Sequence, residues 1–370
     1  MQTRIIVDCK NLAHYSSGIA GYFKPLLQAM IGHFQAYHFI LVAPNEFDTS
    51  FVQNYQNWEV QIIPQRKFGN KTTDILVYEM WTYPNAIKKI DAKLLISPYY
   101  DFIIPNKFKN KSIITVHDLC YWELESSYSR KVKIYHKLLL NLNIQRASKI
   151  ITVSQTSLNK IKKIFGQKLY DKSVVVYNTF EFAKKESLNF NKSDDSCKVL
   201  LYTGGFEQRK NVEMLFRVLS ELKVEMKIKL LFTGNFKENQ QLQEMIVKYD
   251  LENVVELTGI VSSEKLQEYY KQCDTVINIS LCEGFGRSNL EAMMYGKPLV
   301  CSDIEVFREL VGEYAIYCDP YDIESIKNSI KQSFESDHKE FDEIDIQRFE
   351  FETNKMKFIK TIEDVIDGKQ

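Results

Sequence analysis

Short runs of apolar and β-branched residues recur along the chain, separated by segments of helix length. The first series is Arg4–Cys9, His38–Ala43, Val60–Ile63, Leu94–Ser97, Ser112–Val116, Ile150–Val153 and Val174–Tyr177. Continuous apolar runs of this kind suit strands covered on both faces, and helix-length spacers suit crossover connections. The pattern therefore predicts a parallel sheet built in βαβ rhythm. After Asn178 the periodicity stops, and the polar, charged stretch 181–197 reads as a linker. A second series follows at Lys198–Thr203, Lys229–Thr233, Val254–Thr258, Thr275–Ser280, Pro298–Cys301 and Ala315–Tyr317. The tail from Asp342 to Ile366 is predicted helical, with Phe349, Met356, Ile359, Ile362 and Ile366 on one stripe. The expected organisation is α/β, with a first domain over 1–180, a second over 198–345, and a C-terminal helix over 346–370.

Composition agrees with two domains: 370 residues at 45% hydrophobic content are many for one core. The start runs directly into a strand, without the charged region and apolar core of a signal peptide, and no apolar run reaches membrane-spanning length. The expected location is the cytoplasm, with peripheral attachment to the inner face of the plasma membrane as an option. Seven cysteines include no Cys-x-x-Cys pair, so no zinc site is expected.

Charge changes the picture more. Residues 1–170 hold 22 Lys and Arg against 11 Asp and Glu, and the remainder holds 26 against 37, so a net charge of zero conceals +11 in one part and −11 in the other. Ser126 to Tyr170 contains no acidic residue. Within it Arg130, Lys133 and Lys137 share a helix face, with Val132, Tyr135, Leu139 and Leu142 expected to turn elsewhere. Such a stripe is either a solvated face or a dock for an anionic membrane or a lipid-pyrophosphate acceptor.

The densest chemistry lies between Thr275 and Ser302. A strand ends at Ser280, Gly284-Phe285-Gly286 makes a turn, and Arg287–Tyr295 reads as a helix, with Asn289 and Leu290 near its start, stopped by Gly296-Lys297-Pro298. Free N–H groups and the positive dipole end at the helix start attract a diphosphate, and the glycines let it approach the backbone. Glu283 and Glu291 bracket the turn and can accept hydrogen bonds from sugar and ribose hydroxyls. The strand Lys198–Thr203 likewise leads into Gly204-Gly205, with Arg209 and Lys210 before a helix starting near Asn211. Cations there would stabilise the charge that builds on a leaving diphosphate. In the first domain Gly18 and Gly21 follow the first strand, and His117-Asp118 follows the strand Ser112–Val116, at the edge of the sheet where ligands bind. There is no Asp-x-Asp motif, no phosphate-binding Gly-x-x-x-x-Gly-Lys-Ser/Thr loop and no Gly-x-Ser-x-Gly elbow. No metal and no cofactor are expected, with diphosphate held by side chains and helix ends.

Glu283, seven residues, Glu291, then Ala-Met and Gly-x-Pro resembles the donor-site signature of retaining GT-B glycosyltransferases of glycosyltransferase family 4. The family often has Gly-Arg at the turn where this chain has Gly204-Gly205, and a Lys five residues later, where Lys210 stands; the adjacent Arg209 can supply the guanidinium. Tyr15–Tyr22 resembles the family's first glycine loop, Thr115-Val116-His117-Asp118 its Thr-x-His-Asp, and Asn178 its interdomain Asn. The resemblance implies two Rossmann-like domains facing across a cleft, and a helix crossing back to the first. It implies retaining transfer of a hexose-type sugar from a GDP-, UDP- or dTDP-sugar to a glycan or lipid-linked acceptor, in bacterial surface polysaccharide synthesis such as that of lipopolysaccharide or capsule. His117, Arg209, Lys210 and Glu283 would then be catalytic. Gly18, Gly204, Gly205, Gly284, Phe285, Gly286, Asn289, Leu290 and Glu291 would hold the donor with them. No nucleic acid partner is expected. A GT-B nucleotide-sugar epimerase and an inactive donor-binding partner subunit remain as alternatives.

Overall fold

The computed structural model describes residues 2–13, 18–124, 128–179, 197–234, 236, 239–336 and 346–368. Most of the expected linker, the acidic stretch over 337–345 and residues 14–17 of the first glycine loop lie outside them. The chain divides into two compact units, one formed by Met1–Trp122, Ser129–Phe180 and Gln347–Gln370, the other by Glu123–Tyr128 and Glu181–Ile346.

The first unit is built on strands β1 (Thr3–Asp8), β2 (Tyr37–Ala43), β3 (Trp58–Ile62), β4 (Leu94–Ser97), β5 (Ser112–Val116), β6 (Lys149–Thr152) and β7 (Ser173–Val175). They form one parallel sheet in the order β3-β2-β1-β4-β5-β6-β7. Ile5, Ile6 and Val7 of β1 are wholly buried, as a central strand covered on both faces requires. The order reverses between β1 and β4, which opens a crevice at their carboxyl ends.

The tail joins this unit. Helix Phe351–Ile366 sets Phe358 edge-on to Phe23 of helix Gly18–His33, at 6.4 Å between ring centroids. Asn354 Oδ1 accepts from the Tyr177 N–H at 2.8 Å, and its amide donates to the carbonyls of Arg348 at 2.8 Å and Glu350 at 3.0 Å. Met356, expected on the buried stripe, is exposed, while Asn354, Phe358, Thr361 and Ile362 are inside. Two residues past Asn354 is about 200° around a helix, so a buried Asn354 turns Met356 outward.

The second unit carries β8 (Lys198–Thr203), β9 (Ile228–Thr233), β10 (Val255–Gly259), β11 (Thr275–Asn278), β12 (Leu299–Ser302) and β13 (Ile316–Cys318), parallel in the order β10-β9-β8-β11-β12-β13. Leu200, Leu230, Phe232, Ile277 and Val300 bury against Leu215, Phe216 and Leu219 of helix Val212–Glu225. Here the order reverses between β8 and β11, and the two glycine turns singled out in the sequence follow those two strands.

Candidate active site

The loops after β8 and β11 are laced together. Leu281 N–H donates to the Arg209 carbonyl at 2.7 Å, and Arg209 Nη1 donates to the Cys282 carbonyl at 3.3 Å. Arg209 Nη1 also donates to Glu283 Oε2 at 2.7 Å, and Lys210 Nζ to Glu283 Oε1 at 2.5 Å. Burial alone would push the Glu283 carboxyl up, but Arg209 and then Lys210 outweigh it and pull it down to about 2. Residues from two separate turns thus form one ionic cluster, with two cations on one carboxylate. Its net charge is positive, and it stands just before the N-terminus of helix Val212–Glu225. Cations oppose the helix dipole there, so Glu283 offsets a repulsion that an arriving anion would also relieve.

The β11 turn is held from beneath. Gly286 has φ of 146°, and a Cβ on it would lie 2.8 Å from Phe307 Cε1, so glycine is required for helix Arg287–Met294 to start there. Gly234, after β9, has φ of 154° and lets its backbone meet Gly204: a Cβ would stand 2.1 Å from the Gly204 carbonyl oxygen. Asn278 Nδ2 donates to Asn289 Oδ1 at 2.7 Å and to Ser288 Oγ at 3.2 Å, and Ser280 Oγ donates to Asn278 Oδ1 at 2.8 Å. Phe285, Asn289 and Leu290, expected at the donor, have buried side chains, and the Asn289 and Leu290 N–H groups donate to the Gly286 carbonyl at 3.0 and 3.4 Å, so these residues pack and hold the turn. Glu291 Oε2 accepts from Tyr270 OH at 2.7 Å, and Arg287 Nη2 stands 3.5 Å from Oε1. Tyr270 is buried and stacks on Tyr295 at 4.9 Å.

Sequence reading passed over Tyr270, Asn278 and Gly234. Asn278 carried a signal, an amide inside an apolar strand. Tyr270 carried none, because its partner lies 21 positions away.

In the first unit, Gly18 opens helix Gly18–His33, with no atom of the described residues within 4 Å of where a Cβ would stand. His117 Nε2 lies 2.8 Å from the Pro98 carbonyl oxygen, which can only accept, so the proton sits on Nε2. The ring meets Tyr22 edge-on at 5.3 Å, and burial lowers its pKa, keeping it neutral. Asp118 Oδ1 accepts from the Cys120 N–H at 3.0 Å, a turn contact. Asn178 is buried and its Oδ1 has no hydrogen-bond partner among the described residues. Arg130, Lys133 and Lys137 lie on helix Arg130–Arg146, where Lys137 Nζ stands 5.5 Å from the Trp122 ring centroid. On the same helix Leu139 is buried and Val132 exposed.

The sequence reading also passed over a charged cluster where the first sheet reverses. Asp8, wholly buried, accepts from Tyr83 OH at 2.7 Å and Ser97 Oγ at 2.8 Å, and Lys10 Nζ donates to Asp101 Oδ1 at 2.7 Å. Tyr135 OH donates to Glu79, whose carboxyl is raised to about 7 by burial and then by Asp101.

Residues 183–346 match the family Glycosyl transferases group 1. The O-antigen chain mannosyltransferase RfbU of Salmonella typhimurium is 27% identical over 259 residues, 69% of either chain. O-antigen chain mannosyltransferase B of Escherichia coli is 27% identical over 251 residues, 64% of either chain. The chain therefore spans about two thirds of the length of these relatives. Anabaena HepE, solved with UDP and glucose, superposes with a TM-score of 0.69 at 17% identity, over 98% of this chain and 100% of that one. The fold is GT-B, with two Rossmann-like domains. Residues 183–346 form a glycosyl transferases group 1 domain.

Proposed function

We propose that this enzyme moves a hexose-type sugar, with retention at the anomeric carbon, from a nucleotide diphosphate sugar to a glycan or lipid-linked acceptor in bacterial surface polysaccharide assembly. It does so without a metal, at the cytoplasmic face of the membrane. The observation that carries the reading is the Arg209–Glu283–Lys210 cluster where the second sheet reverses. In the step proposed, the bond from the anomeric carbon to the diphosphate oxygen breaks and its electron pair stays on phosphate. Arg209 and Lys210 stabilise that growing charge. The acceptor oxygen bonds to the anomeric carbon on the face the diphosphate leaves, and its proton passes to the phosphate. A carboxylate tied to two cations, with its pKa pulled down to about 2, is a poor base and a poor nucleophile, so Glu283 fits a positioning part. His117 of the first unit, neutral and carrying its proton on Nε2, is proposed as a sugar-binding residue.

A thermal-shift series against UDP, GDP and dTDP selects the base. With the donor so chosen, replacing Arg209 and Lys210 together by Ala should cut turnover by about 100-fold or more. It should weaken nucleoside diphosphate binding and leave nucleoside binding unchanged. Wild-type affinity for the diphosphate in that variant overturns the assignment. An isomerised sugar formed from donor alone would favour the epimerase, and an inverted anomeric centre by NMR would remove retention.

A further inference from the structure

Arg209 and Lys210 lie on one tight turn, Gln208–Lys210, between β8 and helix Val212–Glu225. Two long side chains hold a leaving diphosphate only if the backbone beneath them is still, because any drift of the turn adds to their own rotamer freedom. The turn closes on itself, the Lys210 N–H donating to the Glu207 carbonyl at 2.8 Å and the Asn211 N–H to the Gln208 carbonyl at 3.1 Å. On one flank the Leu281 N–H ties the Arg209 carbonyl to the β11 turn at 2.7 Å. On the other flank a side chain makes the tie: Asn211 Nδ2 donates to the Pro320 carbonyl at 2.7 Å.

Asn211 occupies the position of a helix cap and does not cap. A capping asparagine has an extended backbone and accepts from an N–H two or three residues on. Asn211 instead has φ of 59° and ψ of 31°, and its side chain makes no bond of that kind. The left-handed backbone carries the chain from the tight turn into the helix, where the Asn211 carbonyl accepts from the Leu215 N–H at 3.2 Å. Glycine and asparagine are the residues that adopt this conformation at small cost. Glycine would supply the backbone alone, whereas asparagine supplies the backbone and the tie.

The acceptor of the tie is firmly held. Pro320 is buried in the loop between β13 and helix Ile323–Glu335. Asp319 Oδ1 accepts from the Tyr321 N–H at 2.9 Å, the Asp319 N–H donates to Ser325 Oγ at 3.0 Å, and Asp322 Oδ1 accepts from the Glu324 N–H at 2.9 Å. Ile326 and Ile330 of that helix share a core with Leu215 and Phe216, so the two helices pack together without help from Asn211. The Asn211 bond therefore acts on the turn that carries the cations.

We infer that Asn211 is a positioning residue for Arg209 and Lys210: its left-handed backbone aims the turn, and its amide, anchored on the Pro320 carbonyl opposite the Leu281 tie, clamps it. This assignment rests on the reading of the two cations as ligands of the diphosphate.

Calorimetry with the nucleoside diphosphate selected from UDP, GDP and dTDP, and with its nucleoside, gives the part of binding that the phosphates contribute. Asn211→Gly keeps the backbone conformation and removes the amide. It should weaken diphosphate binding about three- to tenfold, the upper figure being the worth of one neutral hydrogen bond, and leave nucleoside binding unchanged. Asn211→Ala, which also loses the residue types suited to the left-handed backbone, should bind diphosphate more weakly still and melt below Asn211→Gly. Made in the Arg209→Ala, Lys210→Ala double variant, Asn211→Gly should cost no further diphosphate affinity, because a residue that acts through the cations has nothing left to act on. A merely structural role would weaken nucleoside and diphosphate alike, or would add its full loss to that of the double variant. Either result overturns the inference, as does wild-type diphosphate affinity in Asn211→Gly. Undiminished diphosphate binding in the double variant would bring down the donor-site reading itself, and the role of Asn211 with it.

Discussion

In the unfolded chain the Glu283 carboxyl titrates near 4.5, and in the fold near about 2, because Arg209 and Lys210 outweigh the cost of burying it. A depressed carboxyl stabilises the fold at all pH above 4.5, and that stability drains as pH falls from 4.5 toward 2. The shift corresponds to about 3 kcal/mol. Glu283→Gln should therefore be less stable than wild type at neutral pH, with the gap narrowing below pH 4.5. Urea unfolding at stepped pH measures it, and a gap that stays constant with pH would refute the coupling. Glu291 acts by a different route, being oriented by Tyr270 at 2.7 Å. If Glu291 receives ribose hydroxyls, Glu291→Ala should cost about 1.5–3 kcal/mol of nucleoside diphosphate binding per bond lost. Tyr270→Phe should cost less, since the carboxylate remains but is freer to turn. Calorimetry separates the three proteins, and wild-type affinity in Glu291→Ala rejects the ribose role. Charged residues beside glycine turns were legible in the sequence because few other chemistries explain them. Tyr270 was not, because only the folded chain brings it to Glu291.

At the scale of elements, strands were the most legible part. Each of the thirteen described strands starts within two residues of a run expected from the sequence; the central ones are uninterrupted apolar runs because both faces are buried, whereas the edge strand β3 is mostly exposed. What decides the site is less visible: how β11 turns into its helix. Gly286 has a φ of 146° and Phe307 stands 2.8 Å from any Cβ placed there, so Gly286→Ala meets both strain and overlap. The strain alone is worth about 1–3 kcal/mol. The variant should melt lower and bind nucleoside diphosphate more weakly than its loss of stability explains. Adding Phe307→Leu should recover part of the stability and none of the backbone strain; full recovery of binding in the double variant would show the dihedral to be unimportant. The sequence marked Gly286 as a turn residue, but Phe307, which makes it obligatory, lies in a later helix and could not be paired with it. The face of the tail helix was misjudged for a related reason. Hydrophobicity favoured Met356, whereas Asn354 is buried by its three hydrogen bonds to backbone.

Over the whole molecule, Gln347–Gln370 belongs to the first unit although it follows the second in the chain. Its helix covers Phe23, and Phe349 meets Tyr177 edge-on at 5.2 Å, so the first unit has a core that the last residues complete. The Arg209–Glu283–Lys210 cluster, by contrast, is made entirely within the second unit. Calorimetry should therefore resolve two responses. The nucleoside diphosphate should raise the transition of the second unit, by linkage to the state that binds it. Asn354→Ala, which strips a buried N–H of its acceptor, should lower the transition of the first by about 1–3 kcal/mol. Deleting residues 347–370 should lower that same transition further, since it also uncovers Phe23 and Tyr177. A truncated chain that still binds nucleotide with wild-type affinity while its first transition is lost would locate the two functions in separate cores. Were Asn354→Ala instead to lower the transition that nucleotide raises, the tail would be supporting the donor unit, and this assignment of the two cores would fail.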